Sequence, residues 1–162
     1  MEEELAAVPA WWAEKHEAAV AARAAGAAPP GWVFPPDAFD VTVAPGEDVQ
    51  AAVDGCPPGG SVLLLPGSHA GPLVLAADQE VHVFGRGEAL LWTVEGHALV
   101  CKAVRATVDG LLLHAEANGG DEINGVLITA GRLRLQACDV VCTSWECLLI
   151  EGGADPTVAS CR

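Results

Sequence analysis

Positive charge is scarce in this chain. Lys and Arg number 8 against 22 Asp and Glu in 162 residues, a formal net charge of -14. Such a balance repels phosphate backbones and anionic lipid, so neither nucleic acid nor a membrane surface is an expected partner. It serves solubility, or attracts a calcium ion or a basic partner. No apolar run approaches the roughly 20 residues of a membrane-spanning helix. The start, MEEELAAVPA, has neither a basic n-region nor an unbroken apolar core of the secretory type. The expectation is a soluble, cytoplasmic protein. No CxxC pair occurs among the six cysteines, so zinc-type spacing is missing and no metal or other cofactor is expected. In a reducing compartment those cysteines are free thiols.

What the chain does have is apolar content of 51% together with 18 Gly and 11 Pro, which suits many short strands joined by tight turns. The last third repeats itself. Leu127-Ile128 followed by Gly131 matches Leu149-Ile150 followed by Gly153, 22 residues on, and Leu135 and Cys138 match Val158 and Cys161, 23 residues on. Further back, Leu99-Val100 lies 27 residues before Val126-Leu127, and Val83 lies 25 before Val108. A period of this size predicts a solenoid. The long step contains a polar insertion, Glu116 to Glu122. The reading is three to four coils of about three strands each, with parallel stacking of equivalent residues into ladders. Val83, Val108, Leu135 and Val158 form one inward ladder, and Cys138 with Cys161 part of another that packs rather than reacts.

Residues 1–38 differ in composition. Residues 2–25 are rich in Ala, Glu, Lys and Arg, which predicts one or two helices, either covering the body or docking on a partner. Pro29-Pro30-Gly31 and Pro35-Pro36 then make a linker that is neither helix nor central strand, pinned to the surface by Trp32 and Phe34. The β-rich body spans 39–162. Within it, Glu47 to Val53 predicts a short helix with acids in its first turn.

The block DVTVAPGEDVQAAVDGCPPGGSVLLLPGSHAGPLVL resembles the opening of right-handed parallel β-helix proteins of the pectin-lyase-like type. Its strand, short capping helix, Gly-rich turn and Leu65-Pro66-Gly67 segment follow that order. Gly152-Gly153-Ala154-Asp155-Pro156-Thr157-Val158 to Cys161 is similar to the CASH-type repeat found in F-box ubiquitin-ligase subunits. The resemblance implies an all-β, right-handed parallel β-helix preceded by a helical N-terminal segment. Polygalacturonase-type members carry an Asp-Asp pair and an Arg-x-Lys segment, and neither is present here. No F-box is recognisable in residues 1–38.

No catalytic residue is therefore assigned. The insertion is the best binding candidate, because loops between coils project on one face. Glu116, Asp121 and Glu122 suit a cation or a basic partner, His114 ends the strand before them, and Trp145 in a later turn suits a sugar or protein anchor. His69, His82 and His97 fall at unlike coil positions and make no triad. The first functional expectation is a non-catalytic recognition module for a protein or glycan partner. The second is a carbohydrate-active enzyme, lyase or hydrolase, or a degenerate relative. A lateral groove holding two carboxylates, or carboxylates plus Arg, within ~10 Å favours the enzyme. A third expectation is a fragment of a longer β-helix, since a coil ending at Arg162 offers open strand edges to another chain or to further coils.

Overall fold

The computed structural model describes Ala21 and residues 31–86, 88–120 and 122–162. The helical expectation for 2–25, with Trp11 and Trp12, lies outside them except at Ala21, which is helical and exposed.

The body is a right-handed parallel β-helix. After β1 (Val41–Val43) and a helix α1 (Val49–Asp54), three strands recur in fixed order. The first coil is β2 (Gly60–Leu64), β3 (Gly67–Ala70) and β4 (Leu73–Leu75). The second is β5 (Glu80–Gly85), β6 (Ala89–Val94) and β7 (Leu99–Cys101). The third is β8 (Arg105–Asp109), β9 (Leu112–Glu116) and β10 (Val126–Ile128). The fourth is β11 (Leu133–Gln136), β12 (Asp139–Cys142) and β13 (Leu148–Ile150), and β14 (Thr157–Ala159) follows. Equivalent strands stack into three parallel sheets. Sheet A has the order β1-β2-β5-β8-β11-β14, sheet B is β3-β6-β9-β12 and sheet C is β4-β7-β10-β13.

The pairing registers reproduce the repeat read from sequence. Val83 faces Val108, Val108 faces Leu135 and Leu135 faces Val158. Leu127 pairs with both Val100 and Leu149. The inward columns are apolar and sealed: Val62, Val83, Val108 and Leu135 from sheet A meet Leu91 and Leu113 from sheet B and Leu99, Val126, Cys101 and Ile128 from sheet C. Burying such columns, at about 1.5–3 kcal/mol for each large side chain, is what drives coils this thin to stack. Cys161 lies over Cys138, because Arg162 N–H donates to the Cys138 carbonyl at 3.0 Å and Val140 N–H to the Arg162 carbonyl at 2.8 Å. Their thiols donate to equivalent carbonyls, Cys138 to Val108 and Gln136, Cys161 to Leu135 and Ala159.

Several local expectations need correction. Gly67 to Ala70 forms strand β3, and the runs 105–115 and 132–142 each hold two strands, not one. The corner between sheets A and B turns on one residue in the left-handed region: Gly110 at φ 72°, Ala137 at 49° and Ser160 at 55°. Only the first of these is a glycine, so the bend lacks its usual sequence mark. In the helix the acids precede the first turn, and Asp48 is the N-cap, accepting from Ala51 N–H at 3.0 Å. The linker has no helix or strand over 31–38, as composition requires, but Phe34 is 57% exposed and pins nothing. Trp32 is half-buried, and Val33 ties the linker down through both bonds of the Gln136 amide at 3.1 and 2.6 Å. Phe39 then packs edge-on against Phe84 at 5.7 Å. The linker thus runs down the outer face of sheet A and buries Phe84, Asp109 and Gln136.

Candidate functional site

Turn lengths differ among the three corners. Between sheets B and C the connections are 2, 4, 9 and 5 residues long in successive coils, whereas between A and B they are 2 or 3. Between C and A they are 4, 3, 4 and 6, so the longest turn, of 9 residues, stands on the B–C edge. Of the candidate residues chosen from sequence, Glu122 and Trp145 fall in the B–C turns, and Asp121 lies outside the described residues. Glu122 is exposed in the third turn and Trp145 is 62% exposed in the fourth. His114 and Glu116 belong to β9, and His114 sits in register with Trp92 of the coil below.

Hydrogen bonds stitch this edge from coil to coil. Asn124 N–H donates to His97 Nδ1 at 2.9 Å, Glu146 N–H to Asn124 Oδ1 at 3.3 Å and Ala117 N–H to Thr143 Oγ1 at 3.1 Å. Buried Ile123 and Asn124 return the insertion to the body. Both ends of the loop are thereby bonded to neighbouring coils.

Beside it lies a groove of ≈520 Å³ lined by Trp92, Val94, Glu95, Glu116 and Asn118 and closed below by Gly71-Pro72. Trp92 is half-buried and Glu95 exposed. Glu95 holds φ 63°, a conformation that costs a residue with a side chain about 1–2 kcal/mol. Its N–H donates to the Glu116 carbonyl at 2.9 Å, which fixes the two acids as neighbours on adjacent coils. Of the sequence candidates only Glu116 lines this groove. Trp92, Glu95 and Asn118 went unread, and the signal that finds them is the register that sets Val94 beside Glu116.

Against the geometric criterion above, the result is mixed. The groove does hold two carboxylates, but both rise from the same edge, one coil above the other. A second groove, on sheet A, pairs Arg132 with Asp155 at 3.6 Å, both more than three-quarters exposed. His69 is fully buried with Nε2 at 2.7 Å from the Leu65 carbonyl, His82 faces outward from sheet A, and His97 sits in the turn. The three histidines are apart, as their coil positions require. Among the described residues no group of three or more His, Cys, Asp or Glu is placed to hold a metal ion, and no helix is long and apolar enough to cross a membrane.

No protein-family model, curated protein or solved structure matches this chain. The parallel β-solenoid implied by the pectin-lyase-like resemblance is present. The narrower kinship with CASH-type repeats finds no match.

Proposed function

We propose that this protein is a non-catalytic recognition module that takes a cationic segment of a protein partner into the Trp92 groove. The observation that carries the reading is one half-buried indole bordered by two carboxylates, Glu95 and Glu116, and the Asn118 amide. A Lys or Arg side chain laid over an indole gains cation–π attraction, and neighbouring carboxylates add charge-assisted hydrogen bonds. The net charge of -14 steers such a partner toward the surface from a distance. The left-handed backbone at Glu95 fits a residue held for a site at some cost in stability.

The test is fluorescence anisotropy with a labelled Gly-Arg-Lys-Gly peptide. Trp92→Ala and the pair Glu95→Gln with Glu116→Gln each weaken binding by about tenfold, on the scale of one cation–π or charge-assisted contact. Trp145→Ala, in another turn, leaves it unchanged. Binding that survives both groove variants sinks the reading.

The carbohydrate-active alternative is favoured by the same two carboxylates. Glycoside hydrolysis needs two carboxyl groups on opposite flanks of the scissile bond, and acids stacked on one edge fit that poorly. Reducing-end release from a polysaccharide panel, abolished by Glu95→Gln or Glu116→Gln, would replace the recognition reading with the enzymatic one.

A further inference from the structure

A different edge, where sheet C leads into sheet A, brings basic residues together. Glu80 pairs with Arg105 in register. Ala106 N–H donates to the Arg132 carbonyl at 2.9 Å, and Ala106 faces Leu133, so Arg132 follows Arg105 on the next coil. Asp155 N–H donates to the Gly131 carbonyl at 2.9 Å, and Arg134 faces Thr157, so Asp155 comes last. The column therefore reads acid, base, base, acid. Each arginine leans on its outer acid, Arg105 on Glu80 at 3.6 Å and Arg132 on Asp155 at 3.6 Å. Parallel strands lie about 4.8 Å apart, so the Arg105 and Arg132 backbones are neighbours on adjacent coils and both side chains line one groove.

A second column runs beside it. His82, Thr107, Arg134 and Thr157 are in register and face outward. Arg134 Nε donates to Gln136 Oε1 at 2.8 Å, and Gln136 is itself held by the Val33 backbone, so this guanidinium is oriented before anything arrives. His82 Nδ1 lies 2.9 Å from Thr107 Oγ1. Together these side chains line a groove of ≈770 Å³ with Val33 and Val104 on its walls. Three of the chain's eight basic residues meet there, in a protein carrying 22 acids.

We propose that this groove binds the dianionic phosphoryl group of a small ligand. Arg105 and Arg132, rising from adjacent coils, can both donate to one bound group, and the Thr157 hydroxyl supplies a further donor. A tetrahedral dianion uses that many donors; a carboxylate, with one charge and two oxygens, leaves some of them idle. The site is independent of the Trp92 groove, whose chemistry selects cations.

The experiment is an NMR titration of the full chain with methyl phosphate, methyl sulfate and chloride at matched ionic strength and pH 7.5. Methyl phosphate gives saturable shifts at sheet A residues and raises the pH at which the His82 ring titrates. The Arg105→Gln/Arg132→Gln double variant weakens binding about tenfold or more. Both side chains are at least 70% exposed, so the variant folds as the parent does, which its amide spectrum verifies. Glu80→Gln removes a competing carboxylate and tightens binding. Methyl sulfate, a monoanion, binds more weakly. Shifts no larger than those of chloride, equal binding of methyl sulfate, or binding that persists in the double variant each overturn the proposal.

Discussion

Gln50 stands in for a missing strand at Val74. Its side-chain amide donates to the Val74 carbonyl at 2.9 Å and accepts the Val74 N–H at 2.8 Å. Strand β4 has β7 on one side only, and α1 fills the place where a lower coil would pair. An open edge is a site for unwanted pairing, and one glutamine closes it at its middle residue. Gln50→Ala should lower stability by about 1–2 kcal/mol, the scale of two backbone hydrogen bonds left to water. Gln50→Glu should do no better, because a carboxylate then faces both the Val74 carbonyl and the Asp54 carboxylate that Gln50 now bonds at 2.9 Å. Urea unfolding measures both.

Backbone conformation gives a pair of opposite expectations. Gly131 has φ 72°, and a side chain there would overlap the Ala103 carbonyl of the coil below. Gly131→Ala should destabilise by about 2 kcal/mol or more. Ala137, at φ 49°, carries a side chain where the equivalent Gly110 has none. Ala137→Gly should stabilise by about 0.5–1 kcal/mol, since relief of the left-handed strain exceeds the added chain entropy. Thermal denaturation of the two variants should move in opposite directions.

His82 makes stability depend on pH. Burial lowers its pKa below the ordinary 6.5, repulsion from Arg105 lowers it further, and Glu80 opposes both. The unfolded chain therefore binds the proton more readily than the folded one. The contribution is fully present above pH 6.5 and is lost as pH falls through that value toward the folded-state pKa. His82→Gln should flatten the decline in stability between about pH 7 and 5 relative to the parent. An unchanged slope would mean that the ring is already free to ionise in the folded state.

The thiols should separate into two groups. Burial, and then the neighbouring Cys161 thiol, push the Cys138 pKa well up; burial also raises Cys101. A buried neutral thiol is a poor nucleophile. Labelling of the native protein at pH 8 should reach exposed Cys147 first and should find Cys101 and Cys138 only after denaturation.

Sequence periodicity reached the fold because each ladder repeats a residue class at a constant offset, as from Val83 through Val108 to Leu135. It was blind to β3, whose Gly67-Ser68-His69-Ala70 lacks β-branched or large apolar residues and is a strand only because β6 lies beside it. It also merged β8 with β9, although Asp109-Gly110 marks their corner, and β11 with β12, where the left-handed residue is Ala137 and no glycine marks the bend. The candidate site was half legible. The insertion revealed Glu116 through its polarity, but Trp92 and Glu95 lie more than 20 residues earlier and join it only through coil stacking. The arginine column was hidden for the same reason: Arg105 and Arg132 are 27 positions apart and become neighbours only in register.

The uneven turns between sheets B and C carry a practical consequence. Because strand pairing alone sets the pitch, a connection of 2 residues and one of 9 rest on the same frame without disturbing it. The length and chemistry of the turns on that edge are thereby detachable from foldability. A natural lineage, or an engineer, can exchange the segment between Ala117 and Ile123 for one of different length and chemistry, provided Ile123 and Asn124 keep their places against the neighbouring coils.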